Sequence, residues 1–363
     1  MKLSILGSAN SIHTVKWANY FMNHFENVTI YSFDERSPNL NPDIEVFCVN
    51  QRFISFKFLF DILQIRKLLK SNPIKLFHVH SLGSYAFLSF CLGLKDFYST
   101  PWGSDILLNK NILKKFFLIY ALRRSYRVTC DSRLILDMLK NMGIKTEIIS
   151  IINFGIDTSL YSKFDSLHLN SSLEISKKTN IVLSTRSLEP VYDVECLVKS
   201  APFVLRDNPD TKFVIVGSGS QKQFLENLVD KLDLANHFIF MGKVENFLLP
   251  QILNSSTVYV STATSDAGIA SSTAEAMSCE LICIVSDVRE NSDWVIDGVS
   301  GFTFEPSNPN DLASKIIMAL NISNENKTIG KAARKMIMDR NDYHNEMEKM
   351  LHLYYEYKFI DNE

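Results

Sequence analysis

Val258-Tyr259-Val260-Ser261, Ser265-Asp266-Ala267-Gly268-Ile269-Ala270-Ser271-Ser272-Thr273-Ala274-Glu275-Ala276-Met277 and Leu281-Ile282-Cys283-Ile284-Val285 follow one another across short gaps. The outer two runs are short and largely apolar, rich in Val and Ile. That is the pattern of strands buried on both faces. Between them a loop of small residues enters a helical stretch, Ser271–Ser278. Strand, helix and strand in this order form a βαβ unit, which requires parallel pairing. The loop also bears on chemistry. Free N–H groups pool at the helix start, where negative charge is stabilised. Asp266 stands before the helix and Glu275 within it, a carboxylate pair suited to sugar and ribose hydroxyls. A well-capped core helix would give the same sequence pattern.

The same alternation continues in both directions. Strands are expected at Ile181–Thr185, Lys212–Val216 and Phe238–Phe240, with helices at Val194–Arg206, Gln221–Leu232, Asn246–Asn254 and Asp311–Leu320. Nearer the start, strands are expected at Lys2–Leu6, Val28–Phe33, Glu45–Val49, Lys75–Val79, Asp96–Ser99, Arg127–Cys130 and Glu147–Ile151. Helical patterns at Ile12–Phe25, Phe58–Lys70, Tyr85–Leu92, Ile112–Arg124 and Ser132–Met142 fill the gaps. The pattern lapses over the polar, Ser-rich residues 158–179, which read as a linker, and Lys327–Phe359 reads as amphipathic helix. The expectation is two parallel α/β domains, 1–165 and 175–341, with 342–363 a helix returning toward the first. A length of 363 residues fits two cores.

Composition is that of a soluble globular protein, with 46% apolar and 21% charged residues. Net charge is −2, unevenly spread: residues 1–165 carry 20 Lys/Arg against 13 Asp/Glu, and the remainder carries 18 against 27. The first half therefore suits an anionic surface or substrate. Residues 110–127 hold Lys110, Lys114, Lys115, Arg123, Arg124 and Arg127 with no acidic residue, and Phe116, Phe117 and Tyr120 lie between them. Such a basic amphipathic helix suits an anionic membrane face. The six cysteines, Cys48, Cys91, Cys130, Cys196, Cys279 and Cys283, are scattered and read as free thiols in a reducing compartment. No zinc set accompanies Cys279 and Cys283. The apolar run after Met1-Lys2 is too short for an export signal, and Phe87–Leu94 and Phe116–Leu122 are too short to span a bilayer. A cytoplasmic protein is expected, peripheral on the inner face of the membrane, with no nucleic-acid partner.

In open parallel sheets ligands bind beyond the carboxyl ends of the strands. The first such turn, Gly7-Ser8-Ala9-Asn10-Ser11-Ile12-His13, lacks Gly-x-Gly-x-x-Gly and so argues against a dinucleotide. It offers Ser11 and His13 to a hydroxylated substrate. His78 and His80 share a strand face, and His80 stands at the strand's end. Thr100-Pro101-Trp102-Gly103-Ser104-Asp105 offers an apolar face for a sugar ring and a carboxylate for hydroxyls. As a helix cap, Asp105 would instead be structural. Arg186 follows a strand, and its fork suits a diphosphate. Val216-Gly217-Ser218-Gly219-Ser220 is strand, glycine turn and helix, a place for an anion.

At these residues the chain resembles the retaining glycosyltransferases of family 4, of the GT-B fold. The resemblance rests on Trp102-Gly103-Ser104-Asp105, Asn153-Phe154-Gly155-Ile156-Asp157, the segment from Ser265 to Met277, Ser286-Asp287 and Asp297-Gly298-x-x-Gly301-Phe302. It implies two Rossmann-like domains facing across a cleft, with an acceptor on the first and a nucleoside-diphosphate sugar, UDP or GDP type, on the second. It further implies that Arg186 pairs with the diphosphate and that Gly217, Gly219 and Gly242 line the nucleotide. Gly268, Ile269 and Ala270 present the helix start, Glu275 holds the ribose, and Asp266 holds the donor sugar. His80 and Trp102 would stand at the reacting centre, and Ser11, His13, Asp105 and Tyr192 would line the substrates. The chain departs from the family pattern in three places. Asp266 replaces the first Glu and is separated from Glu275 by eight residues where the family has seven, Tyr192 stands where a Lys is usual, and Trp102 stands where a His is usual. No Asp-x-Asp is present to hold a metal, and no permanently bound cofactor is expected. The implied reaction is transfer with retention to a glycan or lipid-linked acceptor, in surface polysaccharide or glycoconjugate assembly. A non-catalytic nucleotide-sugar-binding protein and a GT-B epimerase remain alternatives.

Overall fold

The structure is a computed structural model that describes every residue except 51–54, 72–75, 108–110, 167, 267, 326–327 and 361–363. Of the residues named above, Lys75, Lys110, Ala267 and Lys327 lie outside the described residues. The chain divides into two compact units. Unit 1 comprises Met1–Phe154 and Asn345–Glu363, and unit 2 comprises Gly155–His344.

Unit 1 runs β1 (Lys2–Leu6), α1 (Ile12–Met22), β2 (Asn27–Ser32), β3 (Glu45–Cys48), α2 (Phe56–Ser71), β4 (Leu76–His80), α3 (Ser84–Leu92), β5 (Phe97–Thr100), α4 (Ser104–Leu107), α5 (Ile112–Arg124), β6 (Ser125–Cys130), α6 (Arg133–Asn141) and β7 (Ile149–Ile151). The sheet order is β3-β2-β1-β4-β5-β6-β7, every pair parallel. Strand order reverses between β1 and β4. The turns after these two strands therefore diverge, and a crevice opens at the carboxyl edge. Helix starts follow local chemistry: the Asn111 side chain accepts from Leu113 N (2.9 Å) and Lys114 N (3.2 Å) to open α5, and Ser132 accepts from Ile135 N (3.3 Å) to open α6.

Unit 2 runs α7 (His168–Ser172), β8 (Asn180–Ser184), α8 (Val194–Asp207), β9 (Thr211–Val216), α9 (Lys222–Lys231), β10 (Phe238–Gly242), α10 (Leu249–Asn254), β11 (Val258–Ser261), α11 (Ser271–Ser278), β12 (Ile282–Ser286), α12 (Asn291–Trp294), β13 (Gly301–Phe304), α13 (Pro309–Glu325) and α14 (Thr328–Arg340). Its sheet, β10-β9-β8-β11-β12-β13, is also wholly parallel and reverses between β8 and β11. The central strands are buried on both faces, as their near-continuous Val/Ile/Leu runs require.

The last helix, α15 (Tyr343–Ile360), lies within unit 1 from Asn345 on. Tyr354 is fully buried there, its ring 5.0 Å from those of Phe21 and Tyr98. Its hydroxyl meets His78 Nδ1, and His78 Nε2 lies 2.6 Å from Thr100 Oγ1. Glu346, also buried, accepts from Asn153 N at 2.7 Å and pairs with Lys349.

The structure corrects three expectations. Residues 158–179 are not a bare linker, because Tyr161 and Leu169 enter the core of unit 2 and α7 forms within the segment. The final helical stretch is two helices, α14 and α15, parted where Asn341 and Asp342 pair back to Ile156. The strand expected at Glu147–Ile151 is shorter, because Thr146–Ile148 coils into a 3₁₀ turn first.

Candidate functional site

Each unit places chemistry at its switch point. In unit 2, β8 ends at Ser184 and the chain emerges as Arg186, which is only 8% exposed. A guanidinium buried to this degree needs compensation. Arg186 Nη2 meets Asp266 Oδ1 at 2.6 Å, Nη1 meets Ser272 Oγ at 3.3 Å, and the guanidinium lies over the Tyr192 ring, 4.3 Å from its centroid. Asp266 belongs to the loop after β11, across the switch point, and Ser272 lies in the first turn of α11. Ser272 is itself fixed by the Tyr259 hydroxyl at 2.9 Å. One cation thus gathers the two diverging turns, while its Nε stays buried without a protein partner among the described residues.

The turn after β9 comes close to the same strand end. Gly217 has φ +142°, and a Cβ there would lie 2.6 Å from the Arg186 carbonyl oxygen. At Gly219 a Cβ would lie 2.2 Å from the Leu188 carbonyl oxygen. Only glycine permits this approach. Gly242 closes the array by accepting from Gly217 N at 2.8 Å. Glu189 caps the turn, its carboxylate accepting from Ser220 N (2.9 Å) and Ser220 Oγ. These bonds hold its pKa below the usual glutamate value. Glu275, half-buried on α11, is hydrogen-bonded to Tyr161, whose ionisation is pushed up first by burial and then by that carboxylate.

In unit 1 the switch-point strands end at Leu6 and His80. His13, Trp102 and Phe154 form an aromatic cluster there. The His13 ring lies 4.1 Å from Phe154 and 5.5 Å from Trp102, and Trp102 lies 6.1 Å from His80. Burial disfavours the imidazolium. His13 is lowered to about 4 by burial and then by Lys16; His80 is lowered to about 3 by burial and then by His13. Both are neutral at pH 7. His80 Nδ1 lies 3.5 Å from Thr14 Oγ1, while His80 Nε2 and Trp102 Nε1 are buried without protein partners among the described residues. Such unmet groups cost free energy unless something else meets them.

Residues 2–132 match the family model for glycosyl transferase 4-like domains, and residues 168–336 match that for glycosyl transferases group 1. The chain is a GT-B glycosyltransferase. This glycosyltransferase is 27% identical over 332 residues to an uncharacterised glycosyltransferase of Methanocaldococcus jannaschii, covering 89% of this chain and 84% of that protein. It is 24% identical over 330 residues to the UDP-Gal:α-D-GlcNAc-diphosphoundecaprenol α-1,3-galactosyltransferase of Escherichia coli, covering 86% and 82%. The crystal structure of Anabaena HepE in complex with UDP superposes with a TM-score of 0.82 at 17% identity, over 98% of this chain and all of that one. The same protein is known with UDP-glucose.

The glycosyltransferase brings together Arg186, Asp266, Tyr192, Gly217, Gly219 and Gly242 of the sequence-predicted set. Gly268, Ile269 and Ala270 lead into α11, whose first turn carries Ser272. His13, His80 and Trp102 also converge. Ser11 flanks His13 as the half-buried residue before α1, without a side-chain cap bond. Asp105 has a different setting from a free hydroxyl acceptor. Its carboxylate accepts from Leu82 N (2.5 Å), Trp102 N (3.1 Å) and Ser81 Oγ (3.3 Å), tying the turns after β4 and β5 together. His78 is a core residue. Sequence reasoning missed Ser272, Tyr161 and Phe154. Ser272 stood in the quoted loop but carried no distinguishing pattern, and Tyr161 lay in the presumed linker. No helix among the described residues is long and apolar enough to cross a membrane, and no group of three or more His, Cys, Asp or Glu among them could hold a metal.

Proposed function

We propose that the protein is a retaining, metal-independent glycosyltransferase that moves a sugar from a nucleoside-diphosphate sugar to a glycan or lipid-linked acceptor, in surface polysaccharide or glycoconjugate assembly at an anionic membrane face. The observation that carries this reading is Arg186, a buried cation at the switch point of unit 2, held by Asp266, Ser272 and Tyr192 beside a glycine turn. As the glycosidic bond lengthens, negative charge grows on the diphosphate. A cation already positioned and desolvated stabilises that charge with little reorganisation. Asp266 and the Tyr192 ring orient the fork, and Asp266 also faces the donor sugar. The N–H groups entering α11 from Gly268, Ile269 and Ala270 add positive potential. Gly217, Gly219 and Gly242 let the nucleotide approach backbone, and Glu275 takes the ribose hydroxyls. On unit 1, neutral His80 and Trp102 Nε1–H supply hydrogen bonds at the reacting centre, while Ser11 and His13 face the acceptor and Asp105 holds the loop that presents Trp102.

A uridine nucleotide is favoured by the UDP-bound HepE structures and by the UDP-Gal donor in the name of the Escherichia coli relative. The test is calorimetric titration with UDP and GDP with chelator present, followed by NMR of the anomeric configuration of any product. An inverted product would overturn retention. Loss of turnover with chelator would overturn metal independence. Failure to bind either nucleotide would overturn the donor site.

A further inference from the structure

The hydrogen bonds around Ser272 leave one proton unmatched. Tyr259, in β11, is 0% exposed. Its O–H donates to Ser272 Oγ at 2.9 Å. Arg186 Nη1 donates to the same oxygen at 3.3 Å. A guanidinium can only donate, and a serine oxygen has two lone pairs. Both lone pairs of Ser272 are therefore filled, and its own O–H is left to donate. No acceptor for that proton is present among the described residues. Tyr259 and Arg186 are the buried partners and Ser272 is half-buried, so the proton points away from them, toward the open side. Arg186 repeats the pattern. Its Nη2 is taken by Asp266, while its Nε–H is buried with no protein partner among the described residues. Two donors at one spot thus lack acceptors. Behind them α11 begins at Ala270, which has no side-chain acceptor to cap the first-turn N–H groups.

We propose that Ser272 donates this hydrogen bond to the diphosphate of the sugar donor, and that Tyr259 is the positioning residue that directs it. The inference rests on unit 2 binding a nucleoside-diphosphate sugar. Ser272 then does more than hold Arg186: it touches the ligand itself. Chemistry selects the ligand group. Unmatched donors beside a cation call for an anion rich in acceptors, and a phosphate oxygen has no proton of its own to place. A sugar hydroxyl would bring one more. The hydroxyl adds a neutral donor where Arg186 already supplies the charge. As the glycosidic bond lengthens, negative charge grows on the diphosphate, and a bond from a fixed O–H strengthens with it. Fixing matters because a serine hydroxyl otherwise rotates to suit any neighbour. Tyr259 removes that freedom: its phenol, anchored in the sheet, occupies the lone pair on the core side and leaves the proton the outward direction.

The test uses the full chain. Calorimetry with UDP and GDP identifies the diphosphate that the parent binds. Each variant is then titrated with that diphosphate and, by NMR, with the matching nucleoside. Ser272→Ala should lower diphosphate affinity about ten-fold or more and leave nucleoside affinity unchanged. Because Ser272 also holds Arg186, the deciding comparison is made in the Arg186→Met/Asp266→Leu background. There Ser272→Ala should lower diphosphate affinity again by a similar factor. Tyr259→Phe should lower it about three-fold, since the hydroxyl remains and only its direction is lost, and should change nothing in the Ser272→Ala background. If Ser272→Ala is too unstable to titrate, Tyr259→Phe/Ser272→Ala removes the stranded phenol and gives the same reading. Equal loss for nucleoside and diphosphate, or no further loss in the Arg186→Met/Asp266→Leu background, overturns the proposal and leaves Ser272 a holder of Arg186. A Tyr259→Phe effect that persists without the Ser272 hydroxyl overturns the role of Tyr259. If Arg186→Met/Asp266→Leu weakens diphosphate binding while Ser272→Ala does not, this proposal falls and the donor reading stands. A parent that binds neither diphosphate overturns the donor reading, and this one with it.

Discussion

Arg186→Met separates a functional cation from a structural one. The substitution removes the guanidinium and strands Asp266, whose side chain is 11% exposed beside it. Removing one member of a buried pair costs roughly 3–5 kcal/mol. Asp266 lies near the start of α11, where helix N–H groups offset part of that cost, so the lower end applies. For a unit of this size, about 3 kcal/mol corresponds to a fall in melting temperature of roughly 6–12 °C. Adding Asp266→Leu removes the stranded charge and recovers most of the loss, because an apolar pair can replace an ion pair at little cost. Binding should not recover. A charged hydrogen bond to phosphate is worth roughly 1.5–3 kcal/mol, so UDP affinity should stay about 10- to 150-fold below the parent's. UDP is the right probe because it lacks the transferable donor sugar and so does not sense the sugar contact assigned to Asp266. Calorimetry with a melting curve for each variant is the assay. A double variant that melts like the parent and binds UDP as tightly would refute the reasoning and leave Arg186 a structural ion-pair residue.

Gly219→Ala should lower stability by roughly 1–3 kcal/mol and weaken nucleotide binding, because its Cβ would sit 2.2 Å from the Leu188 carbonyl oxygen; thermal shift with and without UDP checks both. Trp102→Phe should leave melting unchanged or raised, since it deletes a buried N–H with no protein partner among the described residues, while sugar transfer falls; transfer at the parental rate would remove Trp102 from the reacting centre. Acidification should destabilise unit 1 before any carboxylate effect. The folded pKa values of His13 and His80, about 4 and 3, lie below the unfolded value of 6.5, so stability is full above about pH 6.5 and is lost as pH falls toward 4. At pH 5 the loss is up to about 2 kcal/mol per histidine, visible as a falling melting temperature that His80→Gln makes shallower. Deleting residues 343–363 should expose the seat of Tyr354 and lower stability sharply; an unchanged melting curve would show that α15 is dispensable.

The architecture was legible because nearly every strand reads as a short continuous apolar run and nearly every helix follows one. Local signals of that kind survive without tertiary information. β13 escaped because Gly301-Phe302-Thr303-Phe304 is brief and opens on glycine. The supposed linker misled because Ser and Asn dominate it, while Tyr161 and Leu169, the residues that anchor it, are single apolar positions with no period. Among site residues, Arg186 stood out because a charge at a strand's end has few explanations. Its bonds to Asp266 and Ser272 span some 80 positions of sequence, and no spacing rule foretells them. Asp105 shows the reverse limit. Its type suited a hydroxyl, yet three nearby donors of the fold already occupy its oxygens.

The interrupted path of unit 1 bears on how the chain is born. Its strands are made before unit 2, but Tyr354, buried among Phe21, His78 and Tyr98, is made only after the whole of unit 2. Unit 2 is continuous and can condense as soon as α14 emerges. Unit 1 must wait through that interval with an apolar seat open to water, and must then close a loop spanning unit 2 to fill it. Of the two units, the one begun earlier is therefore the one completed later.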